Sequence, residues 1–407
     1  MFAKNLTTAP SLKTILIASG IILTLSMGVR HGLGFWMQPI SQANGWTRET
    51  FSLALAMQNL MWGLFGPFAG MAADRYGTMR VVILGAISYM LGLVWMAVVT
   101  QPTMFIIGSG VFIGLGLACT AFGAISGIIG RSAPMARRSW AFGISAAAGS
   151  FGQFMMMPVE QQLISSLGWQ NAFYVLAALL VLAMVPMSLY LREPAPAAHQ
   201  GPQQSSREAA LEALKNRSFL FLMAGYFVCG FQVVFIAAHL PVYLLDKGIA
   251  GPSVAVAALA LIGLFNIFGS YYAGKLGGMM PKRHLLVGIY LTRAIVISIF
   301  LLAPLSVMSV YIFAAAMGLI WLSTVPLTNG IIAGIFGVKH MSMLAGMVFL
   351  SHQLGSFMGV WLGGFLYARQ GNYDMVWGIA IVLGVFAALI NLPIDERALA
   401  RSSLKPA

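Results

Sequence analysis

Charge is what this sequence has least of. Only 8% of its 407 residues are Asp, Glu, Lys or Arg, where a soluble domain carries about 25%. So few charges cannot cover the surface of a soluble globular protein of this length, nor keep a disordered chain in solution. Acidic side chains are scarcest, 10 against 23 Lys and Arg, which leaves a net charge of +13. A basic excess can signal nucleic-acid binding. Here it sits in short breaks between apolar runs, as in the cytoplasmic loops of membrane proteins, so lipid rather than nucleic acid is the expected contact. Cysteine is nearly missing: Cys119 and Cys229 both fall inside apolar runs and build no disulfide framework. No His or Cys cluster has metal-ligand spacing, and no nucleophile–base motif stands near the end of a run. Neither a cofactor nor an enzymatic reaction is therefore expected. No polar segment is long enough to be the output domain of a receptor. The first apolar run begins near Ser11 without a small-residue cleavage site, so no removable signal peptide is expected.

What fills the sequence is apolar. Even without glycine the apolar share is 59%, and glycine adds 45 residues. A helix crossing about 30 Å of hydrocarbon needs about 20 apolar residues. That ruler finds runs near 12–40, 50–72, 81–100, 104–130, 140–165, 170–191, 218–245, 253–275, 285–304, 308–336, 341–368 and 374–394. These are spans 1 to 12, each expected to be helical because lipid offers backbone groups no partner. Twelve crossings put both termini on one side. Of the 23 basic residues, 18 fall on that side, only Arg48, Lys247 and Arg369 fall opposite, and Arg30 and Arg293 lie within spans. The asymmetry predicts cytoplasmic termini in a bacterial inner (plasma) membrane.

The one long polar break, 192–217, is rich in Pro, Gln and Ser and reads as a cytoplasmic linker. Its second part, from Ser206, could form a short surface helix. The chain thus divides into an N-terminal six-helix bundle (1–191), the linker (192–217) and a C-terminal six-helix bundle (218–407). The bundles echo each other. Gly28-Val-Arg30 precedes Pro39 in span 1 as Gly230-Phe-Gln232 precedes Pro241 in span 7, and Gly149-Ser-Phe151 in span 5 matches Gly355-Ser-Phe357 in span 11. A duplicated unit with a site between its copies at mid-bilayer is a transporter architecture.

Between spans 2 and 3 stands Gly70-Met-Ala-Ala-Asp74-Arg75-Tyr-Gly77-Thr-Met-Arg80. Gly70 permits close helix approach, Gly77 a tight turn, and Asp74 can cap a neighbouring helix or pair with an arginine. The segment resembles the cytoplasmic loop signature of the major facilitator superfamily, G-x-x-x-D-R-x-G-x-x-R, in the position where that family carries it. The resemblance implies an all-α membrane fold of twelve helices in two pseudo-symmetric bundles. It also implies a conformational latch at Gly70, Asp74, Arg75, Gly77 and Arg80 that closes the outward-facing state. The matching place between spans 8 and 9 has Gly278 where the Asp would be, so the second latch is expected to be weaker. Gly110 takes the place of the family's span-4 arginine, and the span-5 exporter signature is missing. Both departures argue against a proton-driven drug exporter.

Polar groups inside spans are costly and point to function. Arg30 lies about 25 Å beyond Lys13 along a helix, inside the membrane, where it could attract an anion or serve as a structural cap. His31 projects about 100° away from it, so both border one cavity only if that cavity is wide. Glu160 is the sole acidic residue expected to be buried within a span. His352 adds a titratable donor, Arg293 could hold a helix end, His239 lies near an interface, and Asn59, Gln153, Gln232, Asn266 and Asn329 could bind substrate or neighbouring helices.

Span 1, Gly28-Val-Arg30-His31-Gly-Leu-Gly-Phe-Trp-Met-Gln-Pro39, is similar to the corresponding helix of the oxalate–formate antiporter and monocarboxylate branch. That resemblance places Arg30, His31, Asn59, Phe122, Trp321 and His352 at the substrate site, while the span-8 arginine that grips carboxylate in those relatives falls on Ser270. Asn266 joins the expected binding set as a hydrogen-bonding group. The expectation is a secondary active transporter of a small organic anion, a monocarboxylate, acting as a monomer. The positive charge would have moved from span 8 to Arg30, and Glu160, His31 or His352 would carry any co-transported proton in symport. The competing expectation is an exporter of amphipathic compounds, drawn from 26 Met and 26 Phe.

Overall fold

A computed structural model describes residues 10–46, 48–192, 204–249 and 251–399, and no strand occurs among them. Span 1 is Leu12–Gly32, prolonged by a 3-10 turn, Leu33–Trp36, and a short helix, Met37–Asn44. Spans 2 to 6 are Arg48–Tyr76, Thr78–Val98, Pro102–Ser132, Arg138–Leu167 and Trp169–Leu191. Spans 7 to 12 are Arg217–Asp246, Gly251–Leu276, Lys282–Leu302, Val307–Phe336, Met341–Gln370 and Asp374–Asn391. Ten of the helices are long and apolar enough to cross a membrane. Spans 2 and 5 are as long, at 29 and 30 residues, but less apolar. The physical reason is their place. They pack against spans 11 and 8 of the other half, so Gly, Ser and Gln stand where lipid-facing helices carry Leu and Ile.

Almost all of one apolar core comes from residues 15–191 and almost all of the other from residues 209–394. The sequence echoes have matching contacts. A β-carbon on Gly28 would strike the Gly152 carbonyl of span 5, and one on Gly230 would strike the His352 carbonyl of span 11. Spans 1 and 5, like spans 7 and 11, therefore pack backbone to backbone through glycine.

The halves meet along two seams. On span 2, Gly63, Gly66 and Gly70 lie against Gln353, Gly346 and Ser342 of span 11. On span 5, Gly143 faces Gly274 of span 8, with a β-carbon on Gly143 only 2.8 Å from the Gly274 Cα. Both seams lie toward the end that carries the span 2–3 loop, termed here the basic end. There Asp74, its side chain 3% exposed, accepts from the Met343 amide (2.9 Å), the Ser342 amide (3.3 Å) and Arg131 Nη1 (2.8 Å). It thus caps the N-terminus of span 11, where backbone N–H groups lack helical partners. Arg131 Nη1 also reaches the Val338 carbonyl across the seam (3.3 Å). Gly77 turns the chain at φ +90°, a conformation that favours glycine. Arg75 and Arg80 are exposed. At the matching place in the other half, span 5 starts after Arg137 without a side-chain cap.

Two spans that read as continuous are broken. Span 4 has a π-helical stretch, Gly108–Ile113, where Gly110 abuts Met57, and a break at Ala121. Span 10 breaks between Leu319 and Thr324. Arg293, fully buried, holds that break: its guanidinium donates to the Ile320 carbonyl through Nε (3.1 Å) and Nη2 (2.6 Å), and to the Trp321 carbonyl. Of the linker, residues 193–203 lie outside the described residues, as do Thr47 and Ala250. The surface helix is present as Ser206–Lys215, started by a reciprocal cap between Ser205 and Glu208.

Candidate functional site

Between the halves lies a cavity of about 310 Å³. Its position follows from the seams: glycine contacts close the basic end, whereas the cavity borders Gly34 and Ala237, exposed residues near the far ends of spans 1 and 7. Arg30 and His31 line it from span 1, Trp62 from span 2, Phe122 from span 4, Tyr226 from span 7, Trp321 from the span 10 break, and Phe349 and His352 from span 11.

Arg30 is half-buried in the last helical turn of span 1. Nη2 donates to Asn59 Oδ1 (2.5 Å) and Nη1 donates to His31 Nε2 (3.2 Å). The guanidinium lies over the Trp62 ring at 5.0 Å, a cation–π contact. Its Nε is buried without a hydrogen-bond partner. No carboxylate pairs with it among the described residues. His31 faces the Met27 carbonyl through Nδ1 (2.7 Å), so Nδ1 carries the hydrogen and Nε2 the lone pair that accepts from Arg30. Consecutive residues on a helix diverge by about 100°, but the long arginine stem folds back, and the two side chains form a single polar unit.

His352 stacks on Phe349 (5.4 Å, 12°) and meets Tyr226 at 5.0 Å, while its Nδ1 lies 3.2 Å from Gln353 Oε1. Gln353 in turn donates from Nε2 to the Asn59 carbonyl (3.0 Å), tying span 11 to span 2 under the cavity. Arg30, His31 and His352 are the titratable side chains of the lining besides the Tyr226 phenol, and no Asp or Glu is among the lining residues.

The structure thus brings together Arg30, His31, Phe122, Trp321 and His352. Asn59 stands behind Arg30 as its acceptor. Asn266 is a correction: it is fully buried away from the lining, donates to Ser150 Oγ (2.8 Å), and accepts from the Leu322 amide (3.0 Å) and Ser270 Oγ (3.2 Å). It bridges span 5 to the span 10 break, which leaves its amide committed to protein groups. Ser270 is sealed beside it, against Gly143, so the place to which the span-1 resemblance assigns an arginine does not face this cavity. Glu160 lies outside the lining, fully buried, with Oε2 accepting from Trp36 Nε1 (3.0 Å) and Oε1 unpartnered. His239 joins Tyr373 and the Val360 carbonyl, away from the cavity. Sequence reading missed Trp62, Tyr226 and Phe349, whose aromatic character is shared by ordinary packing residues. It also missed Arg131, the partner of Asp74, which looked like one more basic loop residue.

The family model described as Major Facilitator Superfamily matches residues 18–326. The chain belongs to the major facilitator superfamily. Among its relatives, the MFS-type transporter YcxA of Bacillus subtilis is 23% identical over 394 residues, covering 95% of this chain and 96% of that protein. Mouse monocarboxylate transporter 11 is 27% identical over 374 residues, covering 86% of this chain and 80% of its own. The fold is shared with the Escherichia coli fucose:proton symporter FucP, with a TM-score of 0.72, 15% identity and coverage of 94% and 98% of the two chains. The proton:xylose symporter XylE matches with a TM-score of 0.67 at 15% identity, over 93% of this chain and 94% of its own. This superfamily member is accordingly a multi-pass membrane transporter and not an enzyme.

Proposed function

We propose that this transporter carries a small organic anion of the monocarboxylate class across a bacterial inner membrane by alternating access. The observation that carries the proposal is Arg30, a cation bordering the cavity with a buried Nε unpartnered and no carboxylate beside it among the described residues. A guanidinium presents parallel N–H groups that match a carboxylate in two-point contact. In a cavity without acidic residues the field favours anions. The monocarboxylate transporters among the relatives support the same reading.

With the basic end cytoplasmic, as its charge indicates, the two seams close the inner side and the cavity faces outward. Asp74 then serves as the latch, with Gly70 and Gly77 giving the approach and the turn, Arg131 as its ion pair, and Arg75 and Arg80 as flanking charges. Trp321 and Phe122 wall the cavity against water, and the N-terminal (1–191) and C-terminal (218–407) bundles rock about it. Any co-transported proton has three stations, Glu160, His31 and His352. His31 acts on the site most directly, because a proton on Nε2 removes the acceptor of the Arg30 bond and sets two cations side by side.

Uptake of labelled monocarboxylates into proteoliposomes tests the proposal. Arg30→Ala abolishes saturable uptake while insertion and the thermal melting of the protein persist. Undiminished uptake by that variant removes the anion anchor. The apolar lining also favours a second reading, export of amphipathic compounds, for which dye efflux from whole cells, insensitive to Arg30→Ala, is the expected result.

A further inference from the structure

We infer that the cargo is an aromatic monocarboxylate, its carboxylate on Arg30 and its ring between the aromatic walls of the cavity. The inference rests on the anion reading above and narrows it. One wall is a continuous run of rings leading away from the charge. Trp62 underlies the Arg30 guanidinium and lies 4.6 Å from Phe349, and Phe349 stacks on His352, which meets Tyr226. Phe122 and Trp321 border the same space. Ring faces prefer ring faces or edges at 4.5–7 Å and gain beyond their buried area from the contact.

Volume and polarity agree. At about 30 Å³ per water, the cavity takes on the order of ten waters. A three-carbon acid held at Arg30 would leave more than half of that space as water against ring faces. An acid with one phenyl group and a short stem takes up most of it. A polyhydroxylated acid or a sugar needs several hydrogen-bond partners; with Gln353 committed to Asn59, His352 and Ser356, the lining offers Gln153 and the Tyr226 hydroxyl beside Arg30 and the two histidines. A dicarboxylate needs a second cation, and beside Arg30 His31 Nε2 stands as an acceptor, which leaves only His352 across the cavity.

Isothermal titration of the purified full-length protein tests this with 3-phenylpropanoate, propanoate, gluconate and the uncharged 3-phenylpropanamide. The expected result is binding of phenylpropanoate at least about tenfold tighter than propanoate, with gluconate and the amide weaker than either acid. Phe122→Leu and Trp321→Leu each narrow the phenylpropanoate-to-propanoate ratio. Propanoate or gluconate binding as tightly as phenylpropanoate overturns the aromatic assignment and leaves the anion reading standing. The amide binding as tightly as phenylpropanoate overturns both, and so does the absence of binding by all four ligands at millimolar concentration.

Discussion

Asp74→Asn isolates the energy that holds the basic end shut. Asp74 and Arg131 lie on spans 2 and 4 of the same half, so their 2.8 Å ion pair survives if the halves part as rigid bodies. Of the bonds Asp74 makes, those that cross the seam come from the Ser342 and Met343 amides at 3.3 and 2.9 Å. A hydrogen bond to a charged group contributes about 1.5–3 kcal/mol, and a negative charge at a helix N-terminus about 0.3–1 kcal/mol. Asparagine keeps one oxygen but loses the charge, so the closed state loses about 2–3 kcal/mol against the open one. That is roughly a 30- to 140-fold change in their ratio, at 1.4 kcal/mol per tenfold. Spin labels at Met135→Cys and Met279→Cys report it, because both positions are highly exposed (80% and 73%) and stand on opposite halves at the basic end. Cys119 and Cys229 are buried and leave the labelling specific. Double electron–electron resonance is expected to give one short distance for the parent protein and an added longer population for the Asp74→Asn variant. Superimposable distance distributions would refute the reasoning, since the cap would then contribute nothing to closure.

Gly274→Leu wedges a side chain into the span 5–8 seam, where even a β-carbon would meet the Gly143 backbone. The same spin-label pair is expected to lengthen and transport to fall to background, and transport at the parental rate would deny that the seam must close. Arg293→Met leaves the Ile320 and Trp321 carbonyls without donors, at a cost of about 1–3 kcal/mol for each. A drop in the midpoint of heat-induced loss of the monodisperse chromatography peak is expected, and an unchanged midpoint would show that the break needs no cap. Glu160→Gln keeps an acceptor for Trp36 but removes the ionisable group. Accumulation driven by a pH gradient is expected to vanish while counterflow persists; persistence of both would confine Glu160 to tethering Trp36.

The twelve crossings and the loop signature were legible because lipid imposes long apolar helices and because Gly70, Asp74 and Gly77 have distinct mechanical duties. Arg30, His31 and His352 were legible because ionisable groups inside a span are expensive enough to mark themselves. The breaks in spans 4 and 10 were not legible. Each is stabilised by contacts from elsewhere in the chain, Arg293 in the case of span 10, and a local reading of Trp321-Leu-Ser-Thr-Val gives no reason to stop a helix. Asn266 was misplaced for the same cause: the Leu322 amide that occupies it is exposed only because of the unforeseen break. Trp62, Tyr226 and Phe349 carry no mark in the sequence, because an aromatic residue in a span serves lipid, core or cargo equally well. Only the seam between spans 2 and 11 turns Trp62 and Phe349 toward one another.

The span 10 break has a mechanical consequence. Its exposed carbonyls are met by an arginine from span 9 rather than by solvent, so the bend needs no water to persist. Spans 9 and 10 are therefore riveted into one lever at the level of Trp321. If the two bundles rock as proposed, that indole travels with the lever as a fixed tooth rather than relaxing as a loop.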